Sequence, residues 1–370
     1  MLLYRHEADR TFLEAHVGDR AQIGGTRHYE LSEGRARGVR AIDVETGGGL
    51  VFTVLPDRGM DIARASFKGV NLVYHSVTGE AHPAYYDPRG TEWLRGFFGG
   101  LLTTCGLTWL GPPCVDAERE LGQHGRISHT PARRVRDESG WSPDGREYEL
   151  RLVGEVEEAA PFGDKLRLTR TIATRLGANR LQIHDEVENF GFVPAPLTIL
   201  YHINAGWPLL DIGARLALTA RGCKGRDEVA RQGFADRLRF EGPRPGRPEE
   251  VYSWQTCADG DELASVVLLN PALCGGLALR LRFDARSLPF VHHWKSLGAG
   301  DYVLGLEPSN VPQASRAELR ERGQLPLLEP GERREFKLEL EMLEGEAAHA
   351  ECARIESLGQ PQNLVALEGR

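Results

Sequence analysis

GREYELRLVGEVEE, residues 145–158, decides the fold class. Tyr148, Leu150, Leu152 and Val156 alternate with Glu149, Arg151, Glu155 and Glu157. Period two places the apolar set on one side of a strand and the charges on the other, as in a half-buried antiparallel sheet. The pattern returns in GLALRLRFD (276–284), EFKLELEM (335–342) and RLQIHDEVEN (180–189). Gly177-Ala178-Asn179 reads as the turn joining that last stretch to RLTRTIATR (167–175). Helical periodicity is best in GEAAHAECARIESLG (345–359), and shorter helical turns are expected around Asp9–Val17 and Ser315–Arg322. PRPGRPEE (243–250) reads as a surface loop, because strand patterns continue on both sides of it. The expected architecture is all-β: one large antiparallel β-sandwich with a few short helices. It spans residues 1–370 as a single domain, with a helical segment at about 344–359.

Composition agrees with a soluble chain that has a sizeable core. The 370 residues are 41% hydrophobic and 26% charged. Forty-three glycines and 21 prolines make about 17% of the chain, against a usual share of about 12%. They are scattered without a period, as frequent turns between strands require. A net charge of −8 leaves no electrostatic footprint for nucleic acid. The six cysteines lie far apart without a C-x-x-C pair, so they read as buried free thiols of a reducing compartment. Charges at Arg5, Glu7, Asp9 and Arg10 leave no apolar leader, and the longest apolar stretch, Leu263 to Leu279, is broken by Asn270-Pro271 and Gly275-Gly276. No membrane contact and a cytoplasmic location are expected.

Dinucleotide, triphosphate and serine-hydrolase motifs are all missing. What stands out are polar residues where a strand should be apolar, or at strand ends. His202 in PLTILYHINAGWPLL (196–210) shares a face with Thr198, Leu200 and Asn204; a core histidine bonded to a carbonyl would look the same. Glu307 ends an apolar strand in DYVLGLEPSNVP (301–312), where it could also cap a turn. His124 lies between Gly122 and Gly125, which permit close backbone approach, although a surface-loop histidine fits too. Arg58 and Asp61 flank a glycine in LPDRGMDI (55–62), where a turn salt bridge is the plainer reading.

Together these sites resemble the aldose 1-epimerase, or galactose mutarotase-like, superfamily, and most closely its branch labelled domain of unknown function 4432. The likeness runs from about residue 20 to about residue 345. GLVFTVLPDRGMDIARASFKGVNLVYHS (49–76) resembles the first hairpins, and LLEPGERREFKLELEML (327–343) the closing strands. LGQHGRIS (121–128) is similar to a segment that would make His124 a substrate-binding histidine. TILYHINAG (198–206) resembles the segment with the catalytic histidine, which implies His202 as general acid. YVLGLEPSNVP (302–312) resembles the segment that carries the general base, which implies Glu307.

The resemblance implies a sugar isomerase that interconverts anomers of a small-molecule carbohydrate without a cofactor or metal. Arg58, Asp61, Arg126, Asn204, Asn310 and the Trp294-Lys295 pair of HHWKSLGAGDY (292–302) join His124 as expected substrate-binding residues. Two departures stand beside this. GFFGGLLTTCGLTWLG (96–111) lacks the family's sugar-holding arginine, and GCKGRDEVA (222–230) lacks its substrate-ordering aspartate. Two further readings therefore stay open. One is a carbohydrate-binding or regulatory protein without turnover. The other is a cupin-type metal-dependent isomerase using His124, His202, His292 or His293, and Glu307.

Overall fold

Alternation builds the sheets as expected. Tyr148, Leu150, Leu152 and Val156 are buried, and so are Leu277, Leu279, Leu281 and Phe283, and Phe336, Leu338, Leu340 and Met342. The structure is a computed structural model and describes residues 1–259 and 261–358. Among these the strands form a nine-stranded, a six-stranded and a five-stranded sheet, with three two-stranded ladders. The nine-stranded sheet contains Tyr148–Ala159, Lys165–Arg175, Arg180–Asn189, Arg333–Glu344, Leu277–Asp284, Leu263–Asn270 and Arg215–Leu218, successive neighbours in that order and all antiparallel. The six-stranded sheet runs Ala220–Gly225, Glu250–Thr256, Phe290–Leu297, Tyr302–Ser309, Thr198–Gly206 and Thr103–Leu107, again antiparallel throughout.

One hydrophobic cluster joins the sheets. It contains Leu152, Ile183 and Leu281 from the nine-stranded sheet, Tyr201, Ile203 and Leu306 from the six-stranded sheet, and Phe52 and Ile62 from the five-stranded sheet. Each fully buried side chain of this size stabilises the fold by about 1.5–3 kcal/mol. Thr198–Gly206 is buried along its whole length because both of its faces are covered. Ile199, Tyr201, Ile203 and Ala205 enter the shared cluster. Leu200 turns the other way, into a second cluster with Tyr74, Trp93, Phe97, Cys105 and Val303. His202 and Asn204 follow Leu200 by the strand period of two.

Helices form at Arg10–His16, Arg316–Glu321 and Gly345–Leu358, near the expected places. Ser315 and Glu318 supply a reciprocal capping box for the second of these. The expected C-terminal segment reached residue 359, which lies outside the described residues. The apolar stretch after Leu263 is two strands joined by a turn at Leu273–Gly275. No helix among the described residues is long and apolar enough to cross a membrane. Of the six free cysteines, Cys105, Cys223 and Cys352 are buried, whereas Cys274 is exposed in that turn.

Candidate functional site

The register of the six-stranded sheet lines up its polar residues. His202 pairs with Thr103 on one side. On the other, the pairs Leu200–Ser309 and Ile203–Leu306 place it opposite Glu307. Glu307 pairs with His292, His292 with Ser253, and Ser253 with Lys224. One line of cross-strand neighbours, on the face away from the shared core, therefore carries both residues singled out as acid and base. Neighbours in such a line have Cβ atoms about 4.5–5.5 Å apart. The adjacent line reads Asn204, Gly305, Trp294 and Val251.

His202 Nε2 stands 3.1 Å from Glu307 Oε1, with both side chains buried. Glu307 Oε1 and His202 Nδ1 have no other hydrogen-bond partner among the described residues. Gly305 makes the approach possible. A Cβ there would lie 2.4 Å from Glu307 Oε1 and 3.1 Å from His202 Cε1. The two side chains lean over a position that has no side chain.

Aromatic rings wall the pair. Phe97 and Trp294 lie 5.3 and 5.4 Å from the His202 ring, centroid to centroid. The His124 ring meets His202 edge-on at 6.2 Å and packs on Trp93 at 4.8 Å. His124 sits at φ 57° in a turn where Gly125 could carry no Cβ, since Gly106 O would be 2.2 Å away. The close approach expected at this turn is thus made by the chain's own backbone. His292 is held neutral and oriented: its Nε2 faces the Val311 carbonyl at 3.2 Å and its Nδ1 the Ser253 hydroxyl at 3.0 Å. A carbonyl only accepts, so Nε2 carries the proton and Nδ1 accepts from Ser253.

Burial dominates the electrostatics. It pushes Glu307 up to about 8; the charge of Glu249 adds to this and that of Arg226 opposes it. Burial pulls His202 down to about 3, reinforced by His124 and His292. His124 and His292 fall to about 4 for the same first reason. The 3.1 Å approach works against burial by favouring opposite charges on Glu307 and His202. For both groups burial is the larger influence, favouring the protonated carboxyl of Glu307 and the neutral imidazole of His202.

Other expected site residues stand elsewhere. Arg58 is buried, and its guanidinium donates to the carbonyls of Ser128, Ala81 and Gly96 and contacts His129, so it braces loops behind Trp93. Asp61 is buried against Arg170 and Thr104, inside the sandwich. Lys295 faces the opposite side of the sheet from Trp294, because neighbours along a strand alternate. Its Nζ donates to Asp236 O and lies 3.5 Å from Glu250. Asn310 staples its loop to the backbone of Ile199 and Leu197. Arg126 is exposed, over the Trp109 ring. Asn204 lies in the line beside the pair, and its amide donates to Gly99, Gly100 and His202 carbonyls. Of the proposed metal ligands, His293 is on the Lys295 face, and no three His, Cys, Asp or Glu side chains among the described residues could hold a metal ion together.

The family described as Domain of unknown function (DUF4432) matches residues 36–342. This chain belongs to the DUF4432 family. Among solved structures, this family member is similar to a candidate aldose 1-epimerase of Klebsiella pneumoniae, at 25% identity and TM-score 0.84, covering 96% of this chain and 95% of that one. A galactose mutarotase-like protein of Clostridium acetobutylicum shares the fold at TM-score 0.61 and 12% identity, covering 87% of this chain and 99% of that one. The galactose 1-epimerase of Lactobacillus acidophilus does so at TM-score 0.55 and 14% identity, with 87% and 100% covered. Among curated proteins, nothing matches. The DUF4432 chain thus has the galactose mutarotase-like sandwich. Sequence reasoning left Gly305, Phe97 and Glu249 out of its site. Only Gly305 carried a local signal, as an isolated glycine inside an apolar strand.

Proposed function

We propose that this DUF4432 member interconverts the anomers of a small carbohydrate by acid–base chemistry, with no cofactor. The observation that carries this reading is the buried His202–Glu307 contact of 3.1 Å inside an aromatic wall. Ring opening of a hemiacetal removes a proton from the anomeric hydroxyl and delivers one to the ring oxygen. The pair holds one proton for that exchange. Moving it from Glu307 to His202 gives the form in which the carboxylate takes the hydroxyl proton and the imidazolium protonates the ring oxygen. After rotation about C1–C2, the reverse transfers close the ring on its other face. His124 and Asn204 border the same face and would orient ring hydroxyls, while Trp294 and Phe97 offer stacking surface. Each positioned acid or base is worth about 10² to 10⁴-fold.

The test is anomer exchange over a panel of aldoses, followed by NMR and corrected for the spontaneous rate. Glu307→Gln should lower exchange of the accepted sugar by about 10²-fold or more. An active wild type with an unimpaired Glu307→Gln variant would overturn the assignment. A wild type that binds a sugar and exchanges none would favour the binding-protein reading, which rests on the missing arginine and aspartate.

The pH profile follows from the pair. Above about 8 the pair loses its one proton, Glu307 is a carboxylate and His202 a neutral base, and no acid remains. Activity is therefore expected on a plateau from about pH 5 to 7 with an alkaline limb near pH 8; kcat/KM against pH checks it. Stability carries the same sign. A carboxyl raised from 4.5 to about 8 contributes stability below pH 4.5 that is lost as pH rises through about 8. Glu307→Gln should thus gain thermal stability over wild type at pH 9 and little at pH 5.

A further inference from the structure

Trp294 is tied at its polar edge to a chain of side chains that leads away from His202 and Glu307. Its indole N–H donates to Glu249 Oε2 at 2.7 Å. Glu249 Oε1 accepts from Arg226 Nη2 at 2.7 Å, so each carboxylate oxygen has one donor. Arg226 Nε donates to Asp227 Oδ2 at 2.9 Å, and Asp227 in turn caps the short helix Glu228–Gln232 by accepting from Ala230 N. The Arg226 backbone is itself fixed, its N–H donating to Val251 O at 2.9 Å. The chain thus runs from the edge strand Ala220–Gly225, across the start of Glu250–Thr256, to the central strand that bears Trp294.

The Arg226 and Glu249 side chains are 37% and 46% exposed, and an ion pair of that exposure adds about 0–1 kcal/mol to stability. What the pair does hold is the orientation of one ring. Trp294 is cross-strand from Gly305, its Cβ would be 3.0 Å from a Cβ placed there, and its plane meets His202 at 76°. An indole released from Glu249 could turn over the empty position at Gly305, where the His202 and Glu307 side chains meet.

We infer that Glu249 is a positioning residue, which through the Trp294 N–H sets that indole as the wall against which a sugar ring rests. The inference deepens the anomer-exchange reading and rests on it for its kinetic form. The predicted signature, read at pH 6 and so below the limb that loss of the Glu249 charge would shift, is a loss of sugar affinity with the chemical step kept: Glu249→Ala and Trp294→Phe should each raise KM about tenfold and leave kcat within about threefold. Because both changes break one link, the double variant should be no worse than the poorer single one. Glu249→Gln keeps an oxygen for the indole N–H and should restore KM to within about threefold of wild type, a rescue that a generic structural role would not give. Circular dichroism and the melting temperature should be unchanged in all four variants.

The same comparison is run by calorimetry with D-glucose, D-galactose, D-xylose and L-rhamnose, so that it does not depend on turnover. Equal harm from Glu249→Gln and Glu249→Ala, a harmless Glu249→Ala, or multiplying losses in the double variant would overturn the inference. Binding with the predicted ranking but no exchange by the wild type would uphold the inference and overturn the catalytic reading. No sugar binding at all would overturn both.

Discussion

Gly305→Ala is expected to lower anomer exchange by about 10³-fold while leaving the fold in place. The size follows from what one methyl group meets. It would stand 2.4 Å from Glu307 Oε1 and 3.1 Å from His202 Cε1, so both proposed catalytic groups must move at once. Each is worth about 10² to 10⁴-fold, and because the two act as a unit the loss stays within about that range when both are displaced. The backbone can keep its conformation, since Gly305 does not need a left-handed one, but stability should fall somewhat, because Trp294 Cβ at 3.0 Å must also give way. Exchange kinetics together with a thermal melt check the prediction; a Gly305→Ala enzyme within tenfold of wild type would show that the reactive atoms meet elsewhere.

The second large effect lies beneath the sheet. Arg170→Ala should destabilise the protein by about 3–5 kcal/mol, because it strands two carboxylates in the interior. Arg170 is fully buried and binds Asp185 through two nitrogens, at 2.9 and 2.7 Å, and Asp61 through a third at 2.8 Å. Tyr201 donates to Asp185 at 2.8 Å, and Thr104 donates to Asp61 from both its backbone and its hydroxyl. Tyr201 and Thr104 are cross-strand partners, each next to a member of the line that holds His202. The network therefore ties three sheets to the underside of the site. Urea denaturation read by two probes measures the loss. Asp61→Asn with Arg170 intact should cost less, since the guanidinium keeps Asp185.

This network holds Asp61, whereas Arg58 is held apart from it by the carbonyls of Ser128, Ala81 and Gly96. Both lie in a turn of charged residues, which reads equally well as a sugar clamp or as structural pairing. What separates the two is the partner: for Asp61 it is Arg170, 109 residues away along the chain, and no local pattern announces it. The strands and the His202 and Glu307 positions were legible because period two is local and a polar residue in an apolar strand breaks it visibly. The same rule, applied to Trp294 and Lys295, already says that only one of the two can share the face of His202 and Glu307. Glu249 was not legible, because it stands in a loop rich in prolines and charges, where one more carboxylate carries no signal. The distance between His202 and Glu307 was also hidden in the sequence: it comes from the register of strands about a hundred residues apart.

That register has a consequence for engineering. Thr103, His202, Glu307, His292 and Ser253 come from five different strands, yet the hydrogen-bond ladder alone sets their order and spacing. The loops supply His124, Phe97 and Glu249 around this line, but the line itself takes its spacing from the sheet. Its few side chains, with a glycine at the next rung to receive them, form a portable pattern that could be written onto any antiparallel sheet with one face left open.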